Sequence, residues 1–491
     1  MTRVEVVIVG AGFAGLGMAM ALRRAGRDDF VVLERAASVG GTWRDNTYPG
    51  VACDVPSHLY GFADRPNPDW SGTYAHGDEI RTYLERIVET DDLGSRLRLG
   101  TAMLGAEWDA AAELWHLETS SGTMTADALV LACGRLTEPA IPDIPGLETF
   151  PGPMFHSSRW DHDTDLAGAR IAVIGTGASA VQLVPELART ADVTLFQRTP
   201  AWIVPRGGEA YSAADRRRFA DHPDELARLR SALYVEGEAR FASRSGDAAA
   251  SRDAQATALA HLESQVPDPA LRAALTPDYA FGCKRVLLSD DFYPALASGS
   301  VALEASALAA VEGSTVVAAS GTRYEVDALV LATGFASTRQ PYAQLVRGES
   351  GTLADHWSTG MTSFASTAVS GFPNLFILDG PNAALGHSSS VLMIEEQVAY
   401  VQRCLEHRDR LGGALRVDPA AEAAYTDEIA AAAASTPWMT GGCRNWYVDE
   451  RSGRLTLLWP GTVDAFRERL ARADGSEFGF APVPGARRGT A

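Results

Sequence analysis

Twice in this chain a short apolar strand runs straight into a glycine turn and then into a helix-patterned segment. No other feature constrains the fold as much. The first copy is Val4-Glu5-Val6-Val7-Ile8-Val9, then Gly10-Ala11-Gly12-Phe13-Ala14-Gly15, then helical periodicity from Leu16 to Arg24 with Gly26 as its stop. The second is Arg170-Ile171-Ala172-Val173-Ile174, then Gly175-Thr176-Gly177-Ala178-Ser179-Ala180, then a helix to about Arg189. Each is followed by a further strand, Phe30 to Leu33 and Val193 to Phe196, which completes a β-α-β unit. In such a turn one glycine takes the bend, one lets backbone N–H groups reach a pyrophosphate, and one lets helix pack on strand. The helix N-terminus attracts the anion. Glu34 closes the first unit about twenty residues past its turn, where a carboxylate accepts from a ribose diol. The second unit has Gln197-Arg198-Thr199-Pro200 there instead, so Arg198 and Thr199 are placed to clasp a 2′-phosphate. Two such sites imply a flavin dinucleotide with a nicotinamide one, the latter NADP rather than NAD.

The expected fold class is α/β, with two Rossmann-like dinucleotide-binding domains. Ala128-Leu129-Val130-Leu131-Ala132-Cys133-Gly134 is echoed by Ala328-Leu329-Val330-Leu331-Ala332-Thr333-Gly334, and both read as strands ending in small-residue turns. These echoes, with a Pro-rich link at Pro139 to Pro145 and a return near Gly334, divide the chain into about 1–140 (first part of the first domain), 141–325 (second domain) and 326–491 (return to the first). From about 207 to 277 Ala, Arg, Asp and Glu dominate, which predicts helices inserted into the second domain. A helix is expected over Val391 to Leu405 and at Ala430 to Ala434. A loop carrying Trp438 is expected over Ser435 to Arg444, and a disordered tail over Pro482 to Ala491.

The 491 residues, 46% of them hydrophobic, are ample for large cores. The balance of 43 basic against 62 acidic residues, −19, repels nucleic acid and anionic membranes. With no apolar run long enough to span a bilayer and no leader before Val4, a soluble cytoplasmic protein is expected. The five cysteines are odd in number and contain no C-x-x-C. That argues against a disulfide framework, a redox dithiol and a zinc ribbon, and it excludes the disulfide-reductase class, because Cys53 stands alone after the first unit. His162, with Asp161 and Asp163, lacks metal-ligand spacing, so no metal is expected.

Two further motifs carry a family resemblance. Phe150-x-Gly152-x-x-x-His156-x-x-x-Trp160-Asp161 resembles the fingerprint of the type I Baeyer–Villiger monooxygenases. Gly40-Gly41-Thr42-Trp43-x-x-x-x-Tyr48-Pro49-Gly50-x-x-x-Asp54 resembles that family's second signature. The likeness extends to Cys283-Lys284-Arg285, Ala332-Thr333-Gly334-Phe335, Gly380-Pro381-Asn382 and Asn445-Trp446-Tyr447, and departs slightly at Ala180 and Cys133. It implies FAD on Gly10, Gly12, Gly15, Glu34, Gly41, Thr42, Trp43, Asp54 and Tyr60. It implies NADP on Gly175, Thr176, Gly177, Ser179, Gln182, Arg198, Thr199, Lys284, Arg285 and Trp446. The implied reaction inserts one oxygen of O2 beside a ketone carbonyl through a C(4a)-peroxyflavin, giving an ester or lactone. Arg285 would be the catalytic cation, held by Asp54. Arginine suits because it keeps its proton in a dry site. Phe150, Gly152, His156 and Trp160 are expected to pin the linker, with His156 not a general base. Gly386 to Ser390 would open a helix aimed at the flavin, and the segment carrying Trp438 and Trp446 would close over the site. Two rivals remain: an N- or S-oxygenating flavin monooxygenase, and a catalytically silent nucleotide-binding sensor. The Trp160-Asp161 pair, with Asp54 and Arg285, speaks against both.

Overall fold

The computed structural model describes residues 2–472. The strand Thr2–Val9 lies at the heart of an eight-stranded sheet, parallel to Phe30–Leu33 on one side and to Gly122–Leu131 on the other. Helices cover such parallel strands on both faces, which is why Val6, Val7 and Ile8 form an unbroken buried apolar run. The helix Phe13–Arg24 packs against the long helix Ser390–Leu411. That second helix continues past the expected Leu405 and stops at Gly412, whose φ of +70° suits a glycine cap.

A second, five-stranded sheet is parallel throughout, in the order Val301–Glu304, Asp192–Phe196, Arg170–Ile174, Ala328–Leu331, Met154–His156. The two echoed segments therefore do the same job, each pairing with the strand that feeds a glycine turn. The contact is tight in both. A Cβ on Gly10 would stand 2.4 Å from the Ala132 carbonyl oxygen, and one on Gly175 would stand 2.5 Å from that of Ala332. Both glycines also have positive φ, +107° and +113°.

Ala328–Leu331 is an inner strand of the second sheet, so the chain returns to the first domain after Gly334 and not at 326. The outward and return crossings run side by side. Ala140 N–H donates to the Gly334 carbonyl at 2.8 Å, Ala336 N–H to that of Glu138 at 2.9 Å, and the Thr333 hydroxyl to that of Ala140 at 2.7 Å.

The insert is helical as expected: Ala213–Asp221, Pro223–Ala239, Ala242–Ser245, Ala248–Gln265 and Pro269–Leu275. It also reaches across to the first domain, where Glu238 meets His387 at 3.1 Å and Arg230 donates to the His58 carbonyl at 2.9 Å. Trp438 does not sit in an open loop. It lies in a short helix, Pro437–Thr440, and is buried against Ala384, Tyr447 and Leu458, because its indole finds more apolar surface there than the surrounding Gly and Thr residues suggest. The tail expectation, Pro482 to Ala491, falls outside the described residues. None of the described helices is long and apolar enough to cross a membrane.

Candidate active site

The first glycine turn opens onto a cavity also lined by Glu34, Gly41, Trp43, Tyr60 and Arg135. Glu34 is buried and accepts from Ala11 N–H at 3.0 Å and Ala36 N–H at 2.9 Å, and Arg44 lies 3.1 Å away. Gly12 and Gly41 face each other closely enough that a Cβ on Gly41 would come within 3.2 Å of the Gly12 Cα. Thr42 begins a single helical turn and Gly15 seats the turn on its helix, where a Cβ would stand 1.8 Å from the Gly10 carbonyl oxygen. Trp43 Nε1 donates to the Tyr60 hydroxyl at 3.3 Å, and burial pushes the Tyr60 phenol up. A cradle that excludes side chains, floored by a buried carboxylate and walled by aromatics, fits a dinucleotide with a flat ring system.

The second turn differs in its floor. Gly177 has open space where a Cβ would project, and the Thr176 hydroxyl donates to the Thr199 carbonyl at 2.9 Å, fixing turn to strand end. Arg198, Thr199 and Lys284 line one cavity, together with Arg444. Lys284 stands 4.9 Å from the Tyr279 ring, and burial, with the charge of Arg198, depresses its pKa. Ser179 lies at the start of the helix Ala178–Leu187, as expected. Gln182 faces the first domain instead. Its Oε1 accepts from the Tyr48 hydroxyl at 2.9 Å, and its Nε2 donates to the Ala52 carbonyl at 2.9 Å.

Between the two turns Arg285 grips Asp54, with Nε to Oδ2 at 2.8 Å and Nη2 to Oδ1 at 2.6 Å. The Asp54 carboxylate raises the Arg285 pKa further, outweighing the cost of burial. About a third of the Arg285 side chain, 32%, remains accessible. Tyr447 lies close by, and its neighbour Trp446 is 37% exposed.

The Phe150–Trp160 motif forms the edge of the second sheet. A Cβ on Gly152 would stand 2.3 Å from the Asp327 carbonyl oxygen, so only glycine lets Met154–His156 pair with Ala328–Leu331. Phe150 packs in the core beneath, and Trp160 meets Phe155 edge-on at 4.8 Å. His156 is buried, with Nδ1 2.9 Å from the Ser158 hydroxyl, and burial lowers its pKa to about 4. The motif's contacts run to Ala328–Leu331, Phe155 and Phe335. His162 bonds Thr47 at 2.8 Å, and among the described residues no cluster could hold a metal.

One cysteine expectation is overturned: Cys283 and Cys443 form a disulfide. Their 160-residue separation hides the pair from spacing rules, and the fold brings both segments to the second cavity. Cys53, Cys133 and Cys404 are free.

Similarity to known proteins agrees with this geometry. A family model described as pyridine nucleotide-disulphide oxidoreductase matches residues 7–212, the stretch holding both glycine turns. A Baeyer-Villiger monooxygenase of Streptomyces coelicolor is 48% identical over 97% of this chain and 92% of its own. Another, from Pseudomonas aeruginosa, is 42% identical over 98% and 92%. The chain belongs to the Baeyer–Villiger monooxygenase family. Among solved structures, the OTEMO complex with FAD and NADP superposes with a TM-score of 0.87 at 25% identity, covering 97% of this chain and 98% of that one.

Several groups at this family site escape sequence reasoning. Arg44 braces Glu34. Arg135 is ion-paired with Asp379 and donates to Ser390 at 3.0 Å, and burial lowers its pKa to about 10. Arg444 joins Arg198 and Lys284. All three are recruited from segments far apart in the chain, and no local pattern marks them.

Proposed function

We propose that the chain catalyses the Baeyer–Villiger oxidation of a ketone with FAD and NADPH: ketone, O2, NADPH and a proton give ester or lactone, NADP⁺ and water. The observation that carries this reading is the bidentate Arg285–Asp54 pair, set between two dinucleotide cradles of different chemistry. The bound flavin supplies dioxygen activation with electrons from NADPH. Glu34 holds the ribose diol at the first turn, the exposed backbone at Gly10 and Gly12 seats the pyrophosphate, and Gly41 to Trp43 with Tyr60 wall the ring system. At the second turn Arg198 and Lys284, with Thr199, select the 2′-phosphate. Together with Arg444 they outnumber Asp278, the one acidic residue lining that cavity.

Arg285 holds a permanent positive charge beside the carbonyl under attack. Attack converts the carbonyl oxygen to an oxyanion, and a fixed guanidinium stabilises it without reorganisation. Asp54 does two things. It fixes the guanidinium plane through two hydrogen bonds, and by raising the arginine pKa it prevents proton transfer that would quench an attacking anion. Trp446, exposed at the cleft, closes on the coenzyme side. The test is a ketone panel, linear, cyclic, aryl and steroidal, incubated with holoenzyme and NADPH and read by product mass. Gain of one oxygen per NADPH consumed supports the reading. NADPH oxidation with no oxygenated product from any ketone, but with oxygenated amines or sulfides, would transfer it to heteroatom oxygenation.

A further inference from the structure

Arg244 is a cation of the insert near the Arg285–Asp54 pair, and Asp54, whose charge reaches it, is already gripped by Arg285. Its Nη1 donates to the Arg240 carbonyl at 3.1 Å and the Ser243 hydroxyl at 3.0 Å, and it makes no ion pair with any described residue. The other deeply placed arginines are answered by carboxylates, Arg285 by Asp54 and Arg135 by Asp379. Arg244 instead lies 5.9 Å from the Phe281 ring centre, with its stem against Gly282 and Gly386. A Cβ on Gly386 would stand 3.9 Å from both Arg244 Cδ and Trp438 Cζ2. Burial, reinforced by repulsion from Arg240 and Arg285, lowers its pKa to about 10. Glu238, the carboxylate of the insert that reaches this region, is already engaged by His387 at 3.1 Å and by the N–H groups of Val463 and Asp464 at 3.1 and 3.2 Å. Arg244 is half-buried, and a guanidinium there with no ion pair gains from a ligand that brings a carboxylate.

We propose that Arg244 is a specificity residue that binds a carboxylate on the substrate, so that the favoured substrates are keto acids whose carbonyl lies at Arg285 and whose acid group lies a short spacer away at Arg244. This rests on the assignment of Arg285 to the reacting carbonyl. Glycine at 282 and 386 leaves room beside the arginine stem.

The experiment compares a linear ketone bearing a terminal carboxylate with its methyl ester, using FAD- and NADPH-loaded enzyme, for the parent chain and for Arg244→Gln and Arg244→Lys. In the parent, the acid should exceed the ester in kcat/KM by about tenfold to a hundredfold, the usual worth of a charge-assisted contact. Arg244→Gln should bring that ratio close to one, and Arg244→Lys should keep part of it. Flavin content and melting temperature confirm that the variants fold. Where turnover is slow, perturbation of the flavin absorbance on titration with each compound gives the same comparison at equilibrium. Equal handling of acid and ester by the parent, in turnover or in binding, overturns the proposal. So does an equal fall for both compounds in Arg244→Gln accompanied by weaker NADPH binding, which would make Arg244 a coenzyme contact. In either case oxygenation of the neutral ester would leave the Baeyer–Villiger reading standing, whereas failure of every ketone would remove that reading itself.

Discussion

Arg285 and Asp54, brought together from different domains, form a two-point ion pair with both hydrogen bonds at or below 2.8 Å. The pairing makes a specific demand on variants. Arg285→Ala should still bind FAD and NADPH, because most of those contacts come from other residues, with flavin reduction slowed but not abolished, yet lose ester formation by about two to three decades. Consumed oxygen should then emerge as hydrogen peroxide. Arg285→Lys should recover little, since an ammonium makes no two-point contact with Asp54 and gives up its proton more readily. Asp54→Ala should show a milder uncoupling. Ester formed per NADPH, with peroxide assayed in parallel, decides. An Arg285→Ala enzyme that remains coupled contradicts the mechanism.

Coenzyme choice should follow the second cavity. Arg198→Ala should raise the NADPH KM by about one to two decades and leave NADH nearly untouched, because only the former carries the 2′-phosphate. Lys284→Ala should act in the same direction. Steady-state kinetics with both coenzymes checks this, and equal losses would remove the phosphate assignment.

Glu34 carries a structural load besides the ribose contact proposed for it. Its carboxylate satisfies two backbone N–H groups and faces Arg44. Glu34→Ala should therefore purify partly colourless and less stable by about 1.5–3 kcal/mol, and Glu34→Gln, which retains an acceptor, should fall between. The flavin-to-protein absorbance ratio after dialysis and a denaturant titration measure the two effects. Full flavin retention by Glu34→Ala would count against the ribose role.

Stability should fall on mild acidification. His58 and His156 are buried, and burial lowers each to about 4, against roughly 6.5 in an unfolded chain. The unfolded state thus takes up protons first. The contribution is complete above about pH 6.5 and is lost as the pH drops toward 4, at about 1.4 kcal/mol per pH unit for each histidine. Melting temperatures between pH 7.5 and 4.5 should show this slope, and His58→Gln and His156→Gln should each flatten it. A slope unchanged in both variants would place the acid sensitivity elsewhere.

Gly152→Ala tests the linker motif. The new Cβ would meet the Asp327 carbonyl oxygen at 2.3 Å and the Phe150 ring at 2.9 Å, so Met154–His156 must shift from its partner strand. We expect a loss of about 1–3 kcal/mol and weaker coupling of NADPH to product, with FAD content retained. A variant as stable as the parent would show that the edge strand yields freely.

Legibility in the sequence followed the range of the interactions. The glycine turns, the strands around them and the echoed segments depend on neighbours along the chain, so periodicity and glycine placement expose them. Asp54 and Arg285 were reachable through motif resemblance, although nothing in their spacing predicts contact. What stayed hidden depends on how loops fold back and distant segments dock: Arg44 returning to Glu34 across ten residues, Arg444 beside Lys284, the Cys283–Cys443 bond, and Arg244 of the insert against Gly282. Gln182 shows the same limit, since its helix position suggests the coenzyme while its side chain bonds to Tyr48 and Ala52. The return near Gly334 was legible from the echoed turn, whereas the boundary at 326 fell one strand early because Ala328–Leu331 reads as a strand without revealing which sheet it joins.

The paired crossings at Glu138–Ala140 and Gly334–Ala336 have a mechanical consequence. A two-strand ribbon stitched by hydrogen bonds bends across its plane easily but resists twist and extension. Any swing of one sheet against the other is therefore channelled into a single hinge axis beside the ends of both inner strands, Ala132 and Ala332, whose carbonyls abut Gly10 and Gly175. Gly134 and Gly334, with φ of +69° and +82°, stand at the pivots. The glycine cradles lie next to that axis and travel least. The insert's bonds to the first domain, Glu238 to His387 and Arg230 to His58, are the contacts that such a swing must break.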